Sequence, residues 1–144
     1  MTQQEVQQYI DFHRENGGTG KIFQFKFKNY EPGLLVLEGN FTETCLNPNG
    51  TVQGGMMTSM LDDISSLLLI MEANGKLYPA STDLHTLHHR SLNKGKVLAK
   101  AKIMKKGKTI ATVKGEIYDQ DNKLITTLVH TAYLVHLDKS LYDK

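Results

Sequence analysis

The sequence predicts one α+β domain, in which a long helix packs against a curved antiparallel sheet of about five or six strands. Apolar residues between Met56 and Ala73 recur with helical spacing, whereas the segments after Pro79 alternate as strands do. Short turns separate these segments, and connections of hairpin length belong to antiparallel sheets. No linker or internal repeat divides the 144 residues, so we expect a single domain over residues 1–144.

The first part of the chain predicts a helix followed by two strands. Apolar residues lie among polar ones from Gln3 to Glu15, as in a short amphipathic helix, and residues 1–20 then form an N-terminal helix and loop. Aromatic and aliphatic residues at 22–27 predict a strand. The Tyr-Glu-Pro-Gly sequence at 30–33 predicts a turn into a second strand at 34–41.

The remaining chain predicts a loop, the long helix and four strands. Residues 42–50 have loop chemistry, and Asn74-Gly75 ends the helix. The strand-like runs that follow lie at 80–91, 97–103, 111–117 and 124–135, with a basic turn at 106–108 between the second and third. The last run is apolar on both faces, as expected of a central or interface strand.

Composition and charge exclude several classes of protein. Apolar residues make up 40% and charged residues 22%, which argues against disorder. A net charge of +2 is too small for a general nucleic-acid binder. The longest apolar run, Leu67–Met71, is far too short to span a membrane, and no secretory leader is visible. The single cysteine, Cys45, fits a reducing compartment, so we expect a cytoplasmic protein.

One carboxylate on the long helix is a candidate catalytic group. Asp62 lies near the centre of the polar side, with Ser59 and Ser66 about one turn away on either side. A carboxylate flanked by hydroxyls on a partly covered face can act as a base or a nucleophile. The alternative is a polar face covered by water. Asp63 lies nearer the apolar side, and we expect it to make a structural contact with a neighbouring loop.

The start of the helix is a second candidate. Gln53-Gly54-Gly55 precedes it, and glycines there leave backbone N–H groups unshielded at the positive end of the helix dipole. Such groups can polarise a carbonyl oxygen that becomes negative during acyl transfer. Gly-Gly before a helix can also be only a turn, and the nearby Asp62 favours the catalytic interpretation.

The segment from Asn47 to Asp62 resembles the loop-and-helix signature of hot dog-fold thioesterases, in particular the PaaI-like branch that includes the thioesterase superfamily member 2 group. In that family a loop Asn precedes a Gly-Gly pair, and an acidic residue follows in the helix. Counting from the Gly-Gly pair places the acidic residue at Asp62. The similarity extends from about Gly33 to Val135, and it includes Ser81 and the Lys106-Gly107-Lys108 turn.

The resemblance implies an acyl-CoA thioesterase and gives each matched residue a role. The N–H of Gly54 would bind the thioester carbonyl oxygen, and Asp62 would activate water or attack directly. Asn47 would orient water or the leaving thiolate, and Ser81 and Ser66 would position the water or the carboxylate. The family's acyl-CoA substrate implies a set of contacts near the cleft: Gly55, Arg90, Lys94, Lys106, Gly107 and Lys108. For the basic residues, a solvated surface is the alternative.

Family members pair their sheets edge to edge, so the resemblance also implies a homodimer, or a homotetramer built as a dimer of dimers, with the active site between subunits. Asp62 of one subunit would then serve Gly54 of its partner. No cofactor is implied.

One position departs from the family pattern, because Gln53 stands where the family usually has His. Gln can hold the loop by hydrogen bonding, but it cannot carry a proton. This departure favours an alternative function, a non-catalytic hot dog module that binds acyl-CoA or a related ligand. It argues against a third class, the hot dog acyl dehydratases, which depend on a catalytic His.

Two other groups of residues are weaker candidates. In a strand, His85 and His89 share a face and His88 points away, so the three do not converge on a metal, and we expect no metal site. Cys45 has no basic neighbour in the sequence to activate it, so we expect a small buried apolar residue there.

Overall fold

The computed structural model describes residues 1–143, and it confirms the predicted α+β class. Two helices come first, α1 (Gln3–Asn16) and α2 (Gly18–Phe23), followed by strands β1 (Lys26–Glu31) and β2 (Leu34–Phe41). After a short 3₁₀ turn and a loop, the long helix α3 (Gly54–Glu72) leads into the other four strands. These are β3 (Leu77–His88), β4 (Gly95–Lys106), β5 (Ile110–Tyr118) and β6 (Leu124–His136).

The six strands form one sheet in the order β1-β2-β4-β5-β6-β3, and every neighbouring pair is antiparallel. Helix α3 connects β2 to β3, so the chain crosses the whole sheet between these two strands. As a result β3 lies at one edge and pairs with β6 alone. Its outer edge has no partner strand among residues 1–143.

The core lies between α3 and the concave face of the sheet. Met60, Leu61, Ile64 and Leu68 of α3 are fully buried, as are the inward residues of the central strands. The helix comes close to β5 at Gly115, where an added Cβ would lie 3.2 Å from the Cβ of Leu61. Glycine at this position therefore permits the close approach of the helix to the sheet.

The ends of α3 follow from the local sequence. Gln53 is the N-cap residue and is followed by the Gly-Gly pair. Asn74 and Gly75 both have positive φ, 52° and 75°, the left-handed conformation that ends many helices. The predicted helix, Met56–Ala73, is therefore confirmed with a start two residues earlier.

Two predicted strands need correction. Ile22 and Phe23, expected in the first strand, and residues 18–20, expected in a loop, belong to α2. The helix buries Phe23 in the core, and Gly20 has no side chain to prevent its close packing on His13 of α1. The strand expected at 80–91 begins at Leu77 and ends at His88. It includes Pro79, which an edge strand tolerates because half of its backbone groups have no partner strand.

Candidate active site

The start of α3 presents unsatisfied backbone donors. The Gln53 N–H donates to the Cys45 carbonyl at 2.9 Å, and the Gln53 carbonyl accepts from Met56 N at 3.0 Å. The Gly54 and Gly55 N–H groups, by contrast, meet no acceptor among residues 1–143. A helix N-terminus in this state favours an oxygen with negative charge.

A hydrogen-bonded loop, residues 45–52, precedes this helix start. The side-chain carbonyl of Asn47 accepts from the backbone N–H groups of Asn49 at 2.9 Å and Thr51 at 3.2 Å, and its amide donates to the Thr51 hydroxyl. Val52 N donates to the Leu92 carbonyl at 2.8 Å, which ties the loop to the segment after β3. Asn47 therefore organises the loop from within. Cys45 is fully buried there, as expected of a small apolar residue.

Asp62 lies half-buried in the middle of α3 and faces β6 and β3. The Ser66 hydroxyl donates to its Oδ1 at 3.4 Å. Burial raises the pKa of the Asp62 carboxyl above its usual value, and Asp63 adds to the rise. His130 and the nearby hydroxyls of Ser66 and Ser81 act in the opposite direction. The rise brings the pKa of this carboxyl closer to neutral pH, where a general base is most effective.

A buried histidine that sequence reasoning missed lies beside this carboxylate. His130 of β6 is fully buried, and its Nε2 lies 3.9 Å from Oδ1 of Asp62. Its Nδ1 is 2.7 Å from the Ser65 hydroxyl, and its Nε2 is 2.8 Å from the Ser81 hydroxyl. Asp62, Ser65, Ser81 and His130 therefore form one connected polar cluster, which we call the mid-helix cluster.

The hydrogen bonds within the mid-helix cluster have a definite direction. Ser65 donates to the Leu61 carbonyl at 2.7 Å, so its oxygen accepts from Nδ1–H of His130. Nε2 is then the acceptor for the Ser81 hydroxyl. Burial lowers the pKa of His130, although the Asp62 carboxylate opposes this, so the neutral ring that this pattern requires is favoured. The exposed oxygen of Ser81 remains free to accept a hydrogen bond from water.

The sequence did contain a signal for His130. The inward residues of β6 are Leu128, His130, Ala132 and Leu134, and a histidine at this phase of an apolar strand must find buried partners. The apolar residues on both faces of the strand hide this signal in the sequence. The neighbouring Asp63 faces elsewhere, because its Oδ2 lies 3.5 Å from Nε2 of His13 in α1 rather than against a loop.

Gly54 and Asp62 of one chain are too far apart to act on one carbonyl group. Eight residues of helix separate them, which amounts to about 12 Å along the axis. Groups that react on one centre must lie within about 3–3.5 Å of the reacting atoms. The two predicted catalytic elements therefore belong to different places on the surface of one chain.

The predicted basic contacts also divide between two places. Arg90 lines a pocket of about 350 Å³ at the start of α3, together with Gly54, Met57 and His88. Lys94 donates to the Glu43 carboxylate at 2.8 Å. Lys106, Gly107 and Lys108 form the β4–β5 turn at the opposite end of the sheet.

A larger cavity, of about 960 Å³, lies at the far end of α3 between α1 and residues 140–143, and it contains none of the predicted site residues. Among residues 1–143 there is no group of three or more His, Cys, Asp or Glu side chains arranged to hold a metal. The helices in the described part of the chain are all too short or too polar to cross a membrane.

Comparison with known proteins places this geometry in a family. Residues 49–126, more than half of the chain, match the family model described as the thioesterase superfamily. The match begins in the loop before α3, covers Gly54, Asp62 and Ser81, and ends within β6.

Individual relatives agree with this match. A protein of Saccharolobus solfataricus named as an esterase is 27% identical over 118 residues, 80% of this chain and 84% of that protein. Human acyl-coenzyme A thioesterase 13 is 28% identical over 105 residues, 72% of this chain and 74% of the relative. The crystal structure of zebrafish thioesterase superfamily member 2 superposes with a TM-score of 0.83 at 25% identity, covering 94% of this chain and 99% of that one. The predicted hot dog fold is thereby confirmed.

Proposed function

The chain belongs to the thioesterase superfamily and is a thioester hydrolase, and from this premise we propose that it hydrolyses acyl-CoA at a site shared by two copies of the chain. One copy supplies the N–H of Gly54, and the partner supplies the carboxylate of Asp62. The observation that carries this proposal is the separation of about 12 Å between these residues along one helix. The acyl-CoA substrate is supported by the name of the human relative, an acyl-coenzyme A thioesterase.

The chemistry follows from the groups at each end. The thioester carbonyl oxygen accepts from the Gly54 N–H, which polarises the bond and then holds the negative charge of the tetrahedral intermediate. The partner's Asp62 takes a proton from water as the water oxygen attacks the carbonyl carbon. The C–S bond then breaks, and coenzyme A leaves as the thiolate and takes up a proton. The raised pKa of Asp62 favours this role as base.

The other cluster residues serve the water and the carboxylate. Ser81 is exposed and donates to His130, so its oxygen is available to accept a hydrogen bond from the attacking water. Ser66 holds Oδ1 of Asp62, and His130 positions Ser81. Direct attack by Asp62 is the alternative route. It would form an anhydride, which would add the mass of the acyl group to quenched enzyme during turnover.

The edge strand β3 supports the pairing of two copies. It is twelve residues long, and its outer row of backbone groups is unpartnered within residues 1–143. Tyr78 and Leu87 on this strand are each about half exposed, at 52% and 51%. A long edge with exposed apolar side chains is a template for pairing with another strand. Two-fold pairing of β3 would make the two α3 helices antiparallel, so the Gly54 end of one would run toward the partner's Asp62.

Two further parts of the proposal concern coenzyme A and assembly. Arg90 beside Gly54, and the Lys106–Lys108 turn brought from the partner, would hold the phosphates of coenzyme A; Lys94 would first have to leave Glu43.

On the outer face of the sheet, Tyr133 pairs with Ile110 and Val135 with Tyr78, and this apolar patch is where two dimers would meet. We place the protein in the cytoplasm, because its one cysteine is free and buried.

The test is thiol release from a panel of acyl-CoAs, from acetyl to palmitoyl with phenylacetyl and benzoyl. Asp62→Asn should lower turnover at least about a hundredfold. Asp63→Asn is the matched control, because Asp63 lies next in sequence but faces His13, and it should keep most of the activity. Only multiple turnovers count, because Cys45 is one thiol per chain. Binding without turnover by folded wild type would favour the non-catalytic module, because the Gln53 side chain cannot carry a proton.

A further inference from the structure

His88, the last residue of β3, lies directly against the helix start. A Cβ built on Gly54 would lie 3.0 Å from Nε2 of His88 and 3.4 Å from its Cδ2. The absence of a side chain at Gly54 therefore also leaves room for the imidazole of His88 beside the helix start. Both groups line the pocket of about 350 Å³ at the start of α3.

The far side of the ring has a partner that suits a protonated Nε2. Nδ1 of His88 lies 3.3 Å from the hydroxyl of Thr126, which is buried and also lies 3.2 Å from Sδ of Met57. With its hydroxyl turned to the ring, Thr126 donates to Nδ1, and the neutral ring then carries its hydrogen on Nε2. With its hydroxyl donated to Sδ of Met57, Thr126 accepts from Nδ1–H instead, and Nε2 of the neutral ring is then an acceptor. The form in which Nε2 is a donor is therefore the one in which Thr126 turns to the ring.

The surroundings of His88 favour an oxygen with negative charge. The side chains lining the pocket include His89 and Arg90 but no carboxylate, within the described chain. A histidine that acts as a base is commonly oriented by an acidic partner, which is missing here. What the pocket offers is a set of donors: the Gly54 N–H, the Nε2 of His88 and the guanidinium of Arg90.

Given the proposed thioesterase function, on which this inference rests, we propose that Nε2–H of His88 is a second donor to the thioester carbonyl oxygen, beside the Gly54 N–H. The two donors hold the negative charge that this oxygen gains when water attacks. No proton is transferred in this step, and the hydrogen bond strengthens as the charge develops.

The test compares two His88 variants with a control on the same strand. His88→Phe keeps a ring but removes the donor, and should lower kcat about a hundredfold with KM changed less than about threefold. His88→Gln retains an N–H donor and should recover part of that loss. His85→Phe is the control, since His85 is exposed and makes no side-chain hydrogen bond within residues 1–143. Wild-type kcat in folded His88→Phe would overturn the proposal and leave the thioesterase function intact.

A second measurement does not depend on turnover. In an acyl-CoA analogue in which a methylene group replaces the sulfur, the carbonyl cannot be hydrolysed, and its infrared stretching frequency reports polarisation. Binding to wild type should lower this frequency, and His88→Phe should reverse part of the shift. Equal frequencies in the two proteins would overturn the role of His88. A wild type that shifts the frequency without hydrolysing any acyl-CoA would instead contradict the proposed function.

Discussion

The two ends of the candidate site are built in opposite ways. At the start of α3 the Gly54 and Gly55 N–H groups lack acceptors within the described chain, and the adjoining pocket is open to solvent. In the mid-helix cluster the donors and acceptors are matched to one another, from Ser65 through His130 to Ser81. One region leaves its hydrogen-bonding capacity for a ligand, whereas the other satisfies it internally, beside the Asp62 carboxylate.

This difference teaches how a small domain divides its chemistry. A site that must stabilise a transient negative charge needs donors that are unoccupied before the substrate arrives. A site that must supply a base needs a carboxylate held in one orientation with a raised pKa. Both lie on one helix, but about 12 Å apart. The proposed shared site combines the two, one from each copy, without any change to the helix.

The largest effect on turnover is expected from adding a side chain at the start of α3. Gly54→Ala places a methyl group 3.0 Å from Nε2 of His88 and shields the Gly54 N–H, so kcat should fall about 10²- to 10³-fold. Gly55→Ala adds the same methyl group one residue later, where nothing lies within 4 Å, and it should cost much less. Steady-state kinetics on both variants measures the difference. Equal losses would contradict the special position of Gly54.

The second prediction tests whether the two regions belong to different chains. A dimer containing one Asp62→Asn chain and one Gly54→Ala chain has one intact site and one doubly altered site. With differently tagged, co-expressed chains, the purified mixed dimer should recover about half of the wild-type activity per dimer. Activity equal to the mean of the two parent homodimers would assign both residues to a site within one chain. Light scattering that showed a monomer at micromolar concentration would exclude the shared site directly.

The same comparison explains what the sequence predicted and what it did not. The helix start and Asp62 are local features, since they depend on Gly-Gly before a helix and on the position of a carboxylate around its axis. Periodicity therefore placed them correctly on α3. The partners of the carboxylate come from β3 and β6, up to 68 residues later in the chain at His130. Their proximity depends on the strand order, which periodicity does not specify.

His88 shows the same limit from the other direction. In the sequence, His88 stands out only as a candidate metal ligand, because its neighbours are His85 and His89. The contact that gives it a different role is with Gly54, 34 residues earlier, and it depends on β3 ending beside the start of α3. The strand ended three residues earlier than its apolar pattern predicted, and so the position of His88 could not be inferred.

The third prediction concerns the loss of hydrogen bonds in the mid-helix cluster. His130→Phe removes the hydrogen bonds to Ser65 and Ser81, and it should lower the free energy of unfolding by about 1–3 kcal/mol. It should also change the pH dependence of stability. The pKa of His130 is lower in the folded protein than in the unfolded chain. As the pH falls below about 6.5, the unfolded chain therefore binds a proton at His130 that the folded protein does not bind. Wild type should therefore lose stability there, and the variant should lose less.

Urea denaturation of wild type and His130→Phe at pH 7.5 and pH 5 measures both effects. His85→Phe is the control, because the exposed His85 ring takes no part in the cluster. A loss on acidification that is the same in wild type and His130→Phe would contradict the assignment of this pH dependence to the buried ring.

The smallest effect is the decrease in the free energy of unfolding that comes from ionising the half-buried carboxyl of Asp62. Its pKa is raised in the folded protein, chiefly by burial, so the folded state favours the protonated carboxyl. The resulting stabilisation is present below the ordinary pKa of Asp and is lost as the pH rises through the raised value. Asp62→Asn cannot ionise and should therefore gain stability relative to wild type between pH 3 and pH 7. The gain should be at most about 1 kcal/mol, because the carboxylate keeps contact with water. Melting temperatures of wild type, Asp62→Asn and Asp63→Asn at both pH values measure it. A difference between Asp62→Asn and wild type that stays constant from pH 3 to pH 7 would mean that ionising the Asp62 carboxyl does not destabilise the fold, contrary to the burial of Asp62 beside β6.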